Sequence, residues 1–225
     1  MASEPSLAGQ TVVITAGPTR EAIDPVRFLS NRSSGRMGFA LARAFDNAGA
    51  RVLLVAGPVT LPTPDGVTRI DVESARQMEA AVNNVIDGAD IFVGCAAVSD
   101  YRPAATSSEK IKKTADELTL KLVRGPDILA GVAARENRPF TVGFAAETEN
   151  LIENARAKMN NKSLDMIAAN LVGVGRGFEQ DDNELTVLWE GGEEPLGKAT
   201  KMVLAEQLVI LVGERFSAHA QRERA

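Results

Sequence analysis

The chain has 225 residues, a formal net charge of −5, one cysteine (Cys95) and one histidine (His219). At 44% hydrophobic content it can bury a core without covalent staples, while an intrachain disulfide, a cysteine-rich or multi-histidine metal site and a Ser-His-Asp triad are all excluded or unsupported. The acidic balance argues against a nucleic-acid partner, no apolar run reaches the ~18–20 residues a membrane span needs, and "MASEPSLAGQ" lacks the basic-then-apolar order of a signal peptide, so a cytosolic protein is expected.

Residues 1–9 read as a flexible leader or a linker remnant, 10–217 as one domain and 218–225 as a tail. "TVVITAG" (11–17) is a β-branched run closed by glycine, which predicts a buried strand. "GRMGFALARAFDNAGA" carries apolar residues at helical spacing and stops at Gly49, and "RVLLVAGP" (51–58) is a second buried strand. Such a crossover makes the two strands parallel. "VTRIDV" (67–72) is a third strand, Ser74 and Gln77 form a capping box for the helix that follows, and "DIFVGCAAV" (90–98) is a fourth strand. This alternation predicts an α/β fold, a Rossmann-like open and largely parallel sheet with helices on both faces. Residues 99–116 read as a long flap. "ELTLKLV" (117–123) alternates like a strand, Pro126-Asp127 opens a helix, "PFTVGFAA" (139–146) is a strand followed by a helix to about Lys162, and "LDMIAANLV" is strand-like. Asp181, Asp182 and Asn183 suggest a turn; a β-hairpin around Gly191-Gly192 and a terminal amphipathic helix complete the chain.

Between Pro25 and Phe45 there is no acidic side chain, yet Arg27, Arg32, Arg36 and Arg43 fall there, around "SNRSSGRMG". A helix start preceded by glycine and serine offers free N–H groups to an anion, and guanidinium groups reinforce it. The same loop is equally readable as a solvated surface. G-x-G-x-x-G and the P-loop pattern are both absent, and "VAGP" at the end of the second strand has no carboxylate for a ribose. "GCAAVSDYR" (94–102) lies at the carboxyl end of an apolar strand, where open α/β sheets bind ligands; Asp100 suits either a ligand contact or a cap. Cys95, flanked by apolar residues, reads as packing. The lysines of "EKIKK" (109–113) suit a mobile phosphate clamp or a solvated face, and Lys158 and Lys162, spaced i, i+4, share one helix face.

Taken in order, "ITAGPTREAIDPVRFLSNRSSGRMG", "GCAAVSDYRP", "EKIKK", "GPDIL" and "VGFAAET" resemble the bacterial phosphopantothenoylcysteine synthetase family over about residues 10–216. That resemblance implies a ligase that joins 4′-phosphopantothenate to cysteine with CTP, through an acyl-cytidylate, releasing CMP and pyrophosphate. It implies Mg2+ with the nucleotide, a homodimer, and a linked flavin-dependent phosphopantothenoylcysteine decarboxylase domain. Carried over by motif, Asn31 would hold the acyl-cytidylate and Arg27 would meet substrate carboxylate or phosphate. Ala96 and Ala97 would lie against pantothenate and nucleotide. Gly94, Cys95 and Ala96 would offer backbone to the nucleotide beside Asp100. Lys110 would stabilise charge at the reacting phosphate. Pro126, Asp127, Ile128, Leu129 and Phe144 would frame the nucleotide, and Lys158 and Lys162 would lie near its phosphates. An NAD(P)-dependent reductase and a non-catalytic nucleotide-binding module are the alternatives.

Overall fold

The computed structural model describes residues 7–113, 116–172 and 182–223. Strand β1 (Thr11–Ala16) leads to a short hairpin, β2 (Arg20–Ala22) with β3 (Phe28–Ser30), before helix α1 (Arg36–Asn47) returns the chain to β4 (Arg51–Ala56). Then come β5 (Thr68–Asp71), α2 (Ala75–Val85), a 3-10 turn and β6 (Ile91–Gly94). The flap region carries β7 (Tyr101–Pro103) and β8 (Leu122–Arg124), and is followed by α3 (Ile128–Ala133), β9 (Phe140–Glu147), α4 (Leu151–Asn161) and β10 (Met166–Leu171). A hairpin of β11 (Asp182–Trp189) and β12 (Gly192–Thr200) leads into α5 (Lys201–Glu223).

Eight strands form one sheet in the order β12-β11-β10-β9-β6-β1-β4-β5. The pairs from β10 to β5 are parallel; only the C-terminal hairpin joins antiparallel. The expected open, largely parallel Rossmann-like sheet is therefore present. Alternation within β1 explains why its whole run is apolar. Val12, Ile14 and Ala16 face α1 and α5, whereas Val13 faces α2 and α3 with Leu53, Val55 and Phe92. A third cluster packs α4 on β9 and β10 through Ala155, Met159 and Ile167. Both faces are covered, as a parallel sheet requires.

Several expected boundaries move. The fourth strand, expected over 90–98, ends at Gly94; residues 95–99 run on as a loop. The strand expected over 117–123 shrinks to β8, where Leu122–Arg124 pair with β7 and Lys121 O accepts the Ala104 N–H at 2.8 Å. Asp182 and Asn183, expected in a turn, open β11 and pair with Thr200 and Ala199; Asp181 lies outside the described residues. Of the leader expected over 1–9, residues 1–6 are also outside them, while Leu7 is 2% exposed and its N–H donates to Ala48 O at 3.0 Å. The capping box at Ser74 and Gln77 and the Asp127 cap of α3 are both present.

Helix α1 crosses the carboxyl end of β1 at close range. A Cβ on Gly38 would stand 2.5 Å from the Ala16 Cβ, inside any tolerable contact. Gly38→Ala is therefore expected to lower the urea midpoint of unfolding by the equivalent of about 1–3 kcal/mol at unchanged slope. An unaltered midpoint would show that α1 does not need this approach.

Candidate active site

β1 and β6 are neighbours, but from β1 the chain proceeds to β4 and β5, and from β6 to β9 and β10. The connections leave their carboxyl ends in opposite directions, which opens a crevice there. Past the strands the two segments stay zipped. Ala97 N–H donates to Gly17 O at 2.9 Å, Thr19 N–H to Ala97 O at 3.3 Å, and Ser99 N–H to the buried Thr19 Oγ1 at 3.0 Å. Ala96 N–H reaches Thr15 Oγ1 at 3.3 Å. These bonds explain why 95–99 abandon strand form while staying ordered: their partner is a loop.

Two adjoining cavities occupy the crevice. One, of about 550 Å³, is lined by the whole 31–38 segment, by Cys95–Val98, and by Asp100, Phe144, Lys158 and Lys201. The other, about 130 Å³, lies under it against Gly94, Pro126–Leu129, Phe144, Lys158 and Lys162. Ala96, Val98, Asp100, Phe144 and Lys158 line both. The Ser-Arg loop and the strand end meet directly where Asn31 Nδ2 donates to Ala97 O at 3.0 Å. Gly35 begins α1 with φ of 77°, a left-handed conformation that favours glycine, and its N–H donates to Ser33 Oγ at 3.3 Å.

Of the residues singled out in the sequence, Asn31, Gly94, Cys95, Ala96, Ala97, Asp100, Pro126, Asp127, Ile128, Leu129, Phe144, Lys158 and Lys162 all line this crevice. Arg27 and Lys110 do not line either cavity. Lys110 is an exposed flap residue. Arg27 is held by Asp24, with Nε at 3.0 Å and Nη2 at 2.5 Å from Oδ2. Sequence reading missed Asn170, Asn183 and Lys201, which line the larger cavity from β10, β11 and the first residue of α5. Lys201 is buried at 8% exposure. A buried lysine opening a terminal helix was a signal available in the sequence only once strand order was known.

The lysines are set by their neighbours. Lys162 makes two hydrogen bonds to Asp127, at 2.8 and 2.7 Å. Burial works to raise the Asp127 carboxyl, but Lys162 and the Ala130 N–H outweigh it and leave it below its ordinary value. Lys158 donates to Phe144 O at 2.8 Å. Burial, then repulsion from Lys162, draws its pKa below the usual lysine range. Burial pushes the Cys95 thiol up to about 12, leaving a neutral group. His219 lies at the far end of the sheet, edge-on to Phe140 at 5.6 Å. A cavity of about 530 Å³ opens there. Its Arg138 and Arg156 are engaged by Asp165 and Glu193, and Arg215 stacks on Trp189. The crevice thus presents cationic side chains and exposed backbone, and Cys95, which lines it, is a neutral thiol.

Residues 7–215 match the DNA/pantothenate metabolism flavoprotein C-terminal domain. The chain belongs to this family. Within it, the chain is 53% identical over 213 residues to the coenzyme A biosynthesis bifunctional protein CoaBC of Vibrio cholerae, covering 93% of this chain and 53% of that protein. It is 51% identical over 216 residues to the CoaBC protein of Escherichia coli, covering 94% and 53% respectively. The chain therefore spans about half the length of these relatives. The crystal structure of a CoaBC C-terminal domain superposes with a TM-score of 0.81 at 35% identity, covering 96% of this chain and all of that one. A Streptococcus pneumoniae DNA/pantothenate metabolism flavoprotein, 22% identical over 93% of this chain and 99% of that one, shares the fold with a TM-score of 0.78.

Cys95 yields a direct test. The unfolded chain releases the thiol proton near the ordinary value of 9.0, the folded chain only near 12. Across that window the native state binds more protons, so stability falls as pH rises. Iodoacetamide at pH 8 is expected to label the folded protein far more slowly than the denatured chain. Equal rates would contradict a desolvated thiol.

Proposed function

We propose that this domain is a CTP-dependent phosphopantothenate–cysteine ligase of cytosolic coenzyme A biosynthesis. It works beside a flavin-dependent decarboxylase domain, and as a homodimer. The observation that carries this reading is the Asn31–Ala97 hydrogen bond, 3.0 Å long, which joins an arginine-rich loop to a nucleotide-type strand end inside one cationic crevice.

The chemistry asks for what this crevice contains. A carboxylate is a poor electrophile at neutral pH. Its oxygen attacks the α-phosphorus of CTP, a new oxygen–phosphorus bond forms, the bond to the β-phosphate oxygen breaks, and pyrophosphate leaves. The cysteine amine then attacks the acyl carbon of the acyl-cytidylate; the amide bond forms, CMP departs and the amine releases a proton. Neither step uses a protein adduct, so an unreactive Cys95 and a distant His219 are no obstacle. Catalysis rests on alignment and on fixed charge at the phosphates.

In this reading the cytidine nucleotide lies along Gly94–Ala97 and Pro126–Leu129, under Phe144, with Lys158 and Lys162 near its phosphates. Phosphopantothenate enters on the 31–38 side, where Arg36 and Lys201 add positive charge, and Asn31 holds the acyl group. With the flap strapped at Ile111, the long Lys110 side chain extends from that fixed point toward the reacting phosphate, and the flap shields the cleft from water. Magnesium neutralises triphosphate charge when bound. Among the described residues no cluster of His, Cys, Asp and Glu could hold a metal by itself; Asp100, in the lining of both cavities, is the carboxylate that would face a nucleotide-borne cation. Among the described residues no helix is long and apolar enough to cross a membrane.

The test is pyrophosphate release with CTP or ATP, leaving out each substrate in turn. Release should require phosphopantothenate, and omission of cysteine should leave acyl-cytidylate on the protein. Folded protein that releases none defeats the proposal; binding of CTP without turnover would favour a nucleotide-binding module instead. Lys110→Gln should slow the first step by roughly 100- to 1,000-fold, the usual consequence of losing one donor at a developing oxyanion. Asn31→Asp should trap the acyl-cytidylate or slow its consumption, visible as nucleotide retained after gel filtration.

A further inference from the structure

Asp24 sits in the turn between β2 and β3, 2% exposed, and its carboxylate has two separable tasks. Oδ1 accepts the Val26 and Arg27 N–H groups, each at 2.8 Å, and so builds the turn. Oδ2 accepts from the Arg27 guanidinium at 3.0 and 2.5 Å and from the Ile111 N–H at 3.1 Å. Arg27 Nη2 closes the circuit by donating to Ile111 O at 2.9 Å. Both backbone groups of one flap residue, 84 and 87 positions away in sequence from Arg27 and Asp24, are therefore held by one ion pair. Upstream, Thr106 Oγ1 donates to Ala22 O and Ser107 N–H to Ile23 O, both at 3.0 Å. The flap is strapped along the β2 hairpin up to Ile111, the residue directly after Lys110.

We infer that Asp24 is a positioning residue for the proposed ligase reaction: its Oδ2 fixes Arg27 and the Lys110 segment of the flap in one register, while its Oδ1 keeps the turn. The inference rests on the functional reading above for its catalytic consequence and on the hydrogen bonds alone for its mechanical one. The anchor stays charged. The Arg27 guanidinium, with the N–H donors of Val26, Arg27 and Ile111, holds the carboxyl far below the ordinary aspartate value despite its burial. A neutral side chain would lose the ion pair, and one with a donor in place of Oδ2 would oppose both Arg27 and Ile111.

Asp24→Asn performs that substitution. Its carbonyl oxygen still accepts the two turn N–H groups, whereas its amide nitrogen faces two donors. The full chain, wild type and variant, is compared by three measurements. Urea unfolding reports whether the fold survives. Trypsin cleavage after Lys110, Lys112 and Lys113, without any ligand, reports the flap anchor. Pyrophosphate release reports the chemistry. The expected result is a cooperative urea transition at a lowered midpoint, faster flap cleavage under conditions where the variant is still folded, and a kcat on the order of 100-fold lower with little change in KM for CTP, since alignment rather than ground-state binding is lost. Asp24→Glu, which restores the charge, should recover part of the kcat. Unchanged flap cleavage in a folded variant overturns the anchor. Faster cleavage with wild-type kcat overturns the catalytic role. Should wild-type protein release no pyrophosphate, the ligase reading fails while cleavage still decides the anchor. If Asn prevents folding, Arg27→Lys, which keeps charge but lacks the guanidinium fork, must show the same cleavage and kcat changes or the inference falls.

Discussion

The chain leaves β1 and β6 in opposite directions, and almost everything about this molecule follows from how the resulting gap is held open. Side by side in the sheet, the two strands have no crossover helix between their carboxyl ends. Backbone bonds from Ala97 to Gly17 and Thr19, with Thr19 Oγ1 under Ser99, extend the pairing by a few residues and leave a shelf of small side chains. On one side of that shelf α1 begins without a side-chain cap, pressed against Ala16 through Gly38. On the other stands Phe144 of β9. The shelf is held by backbone bonded to backbone, and its own residues Gly17, Ala96, Ala97 and Val98 are small, with Asn31 bonded across it to Ala97 O.

Charge is distributed against the average of the protein. A chain of net charge −5 lines its crevice with Arg32, Arg36, Lys158 and Lys201, and Asp100 is the facing carboxylate of the larger cavity. Partial burial strengthens the field of each cation on an anionic guest, since the effective dielectric is lower than in water. The lowered pKa of Lys158 is the cost of that burial, together with repulsion from Lys162.

Acidic residues, by contrast, serve the scaffold. Asp90 accepts from Thr11 N–H at 2.7 Å and Asp165 from Thr141 N–H at 2.7 Å, each pinning the start of a parallel strand. Glu21 accepts from Ala75 N–H at 2.9 Å at the start of α2, and Asp24 gathers the hairpin turn and the flap. Orphan N–H groups at element starts need acceptors, and carboxylates supply strong ones. These four carboxylates thus hold backbone in place away from the crevice, whose own carboxylates, Asp100 and Asp127, stand among lysines and arginines.

Apolar runs, helical periodicity and the Ser74–Gln77 and Asp127 caps record local geometry, so the sequence by itself determined the main strands, the helices and the α/β class. It also marked the 31–38 and 94–100 segments, because small residues beside arginines or at a strand end bear a local signature. The short β2–β3 hairpin was not legible, since three-residue strands carry no period. Nor were the roles of Asn170, Asn183 and Lys201, which reach the crevice only because the C-terminal hairpin adds to the sheet beside β10. Tertiary structure also decided that Arg27 clasps Asp24 and Ile111 instead of lining a cavity. Residue spacing reports which side chains share a face; which faces then meet depends on strand order and on burial summed over the whole chain.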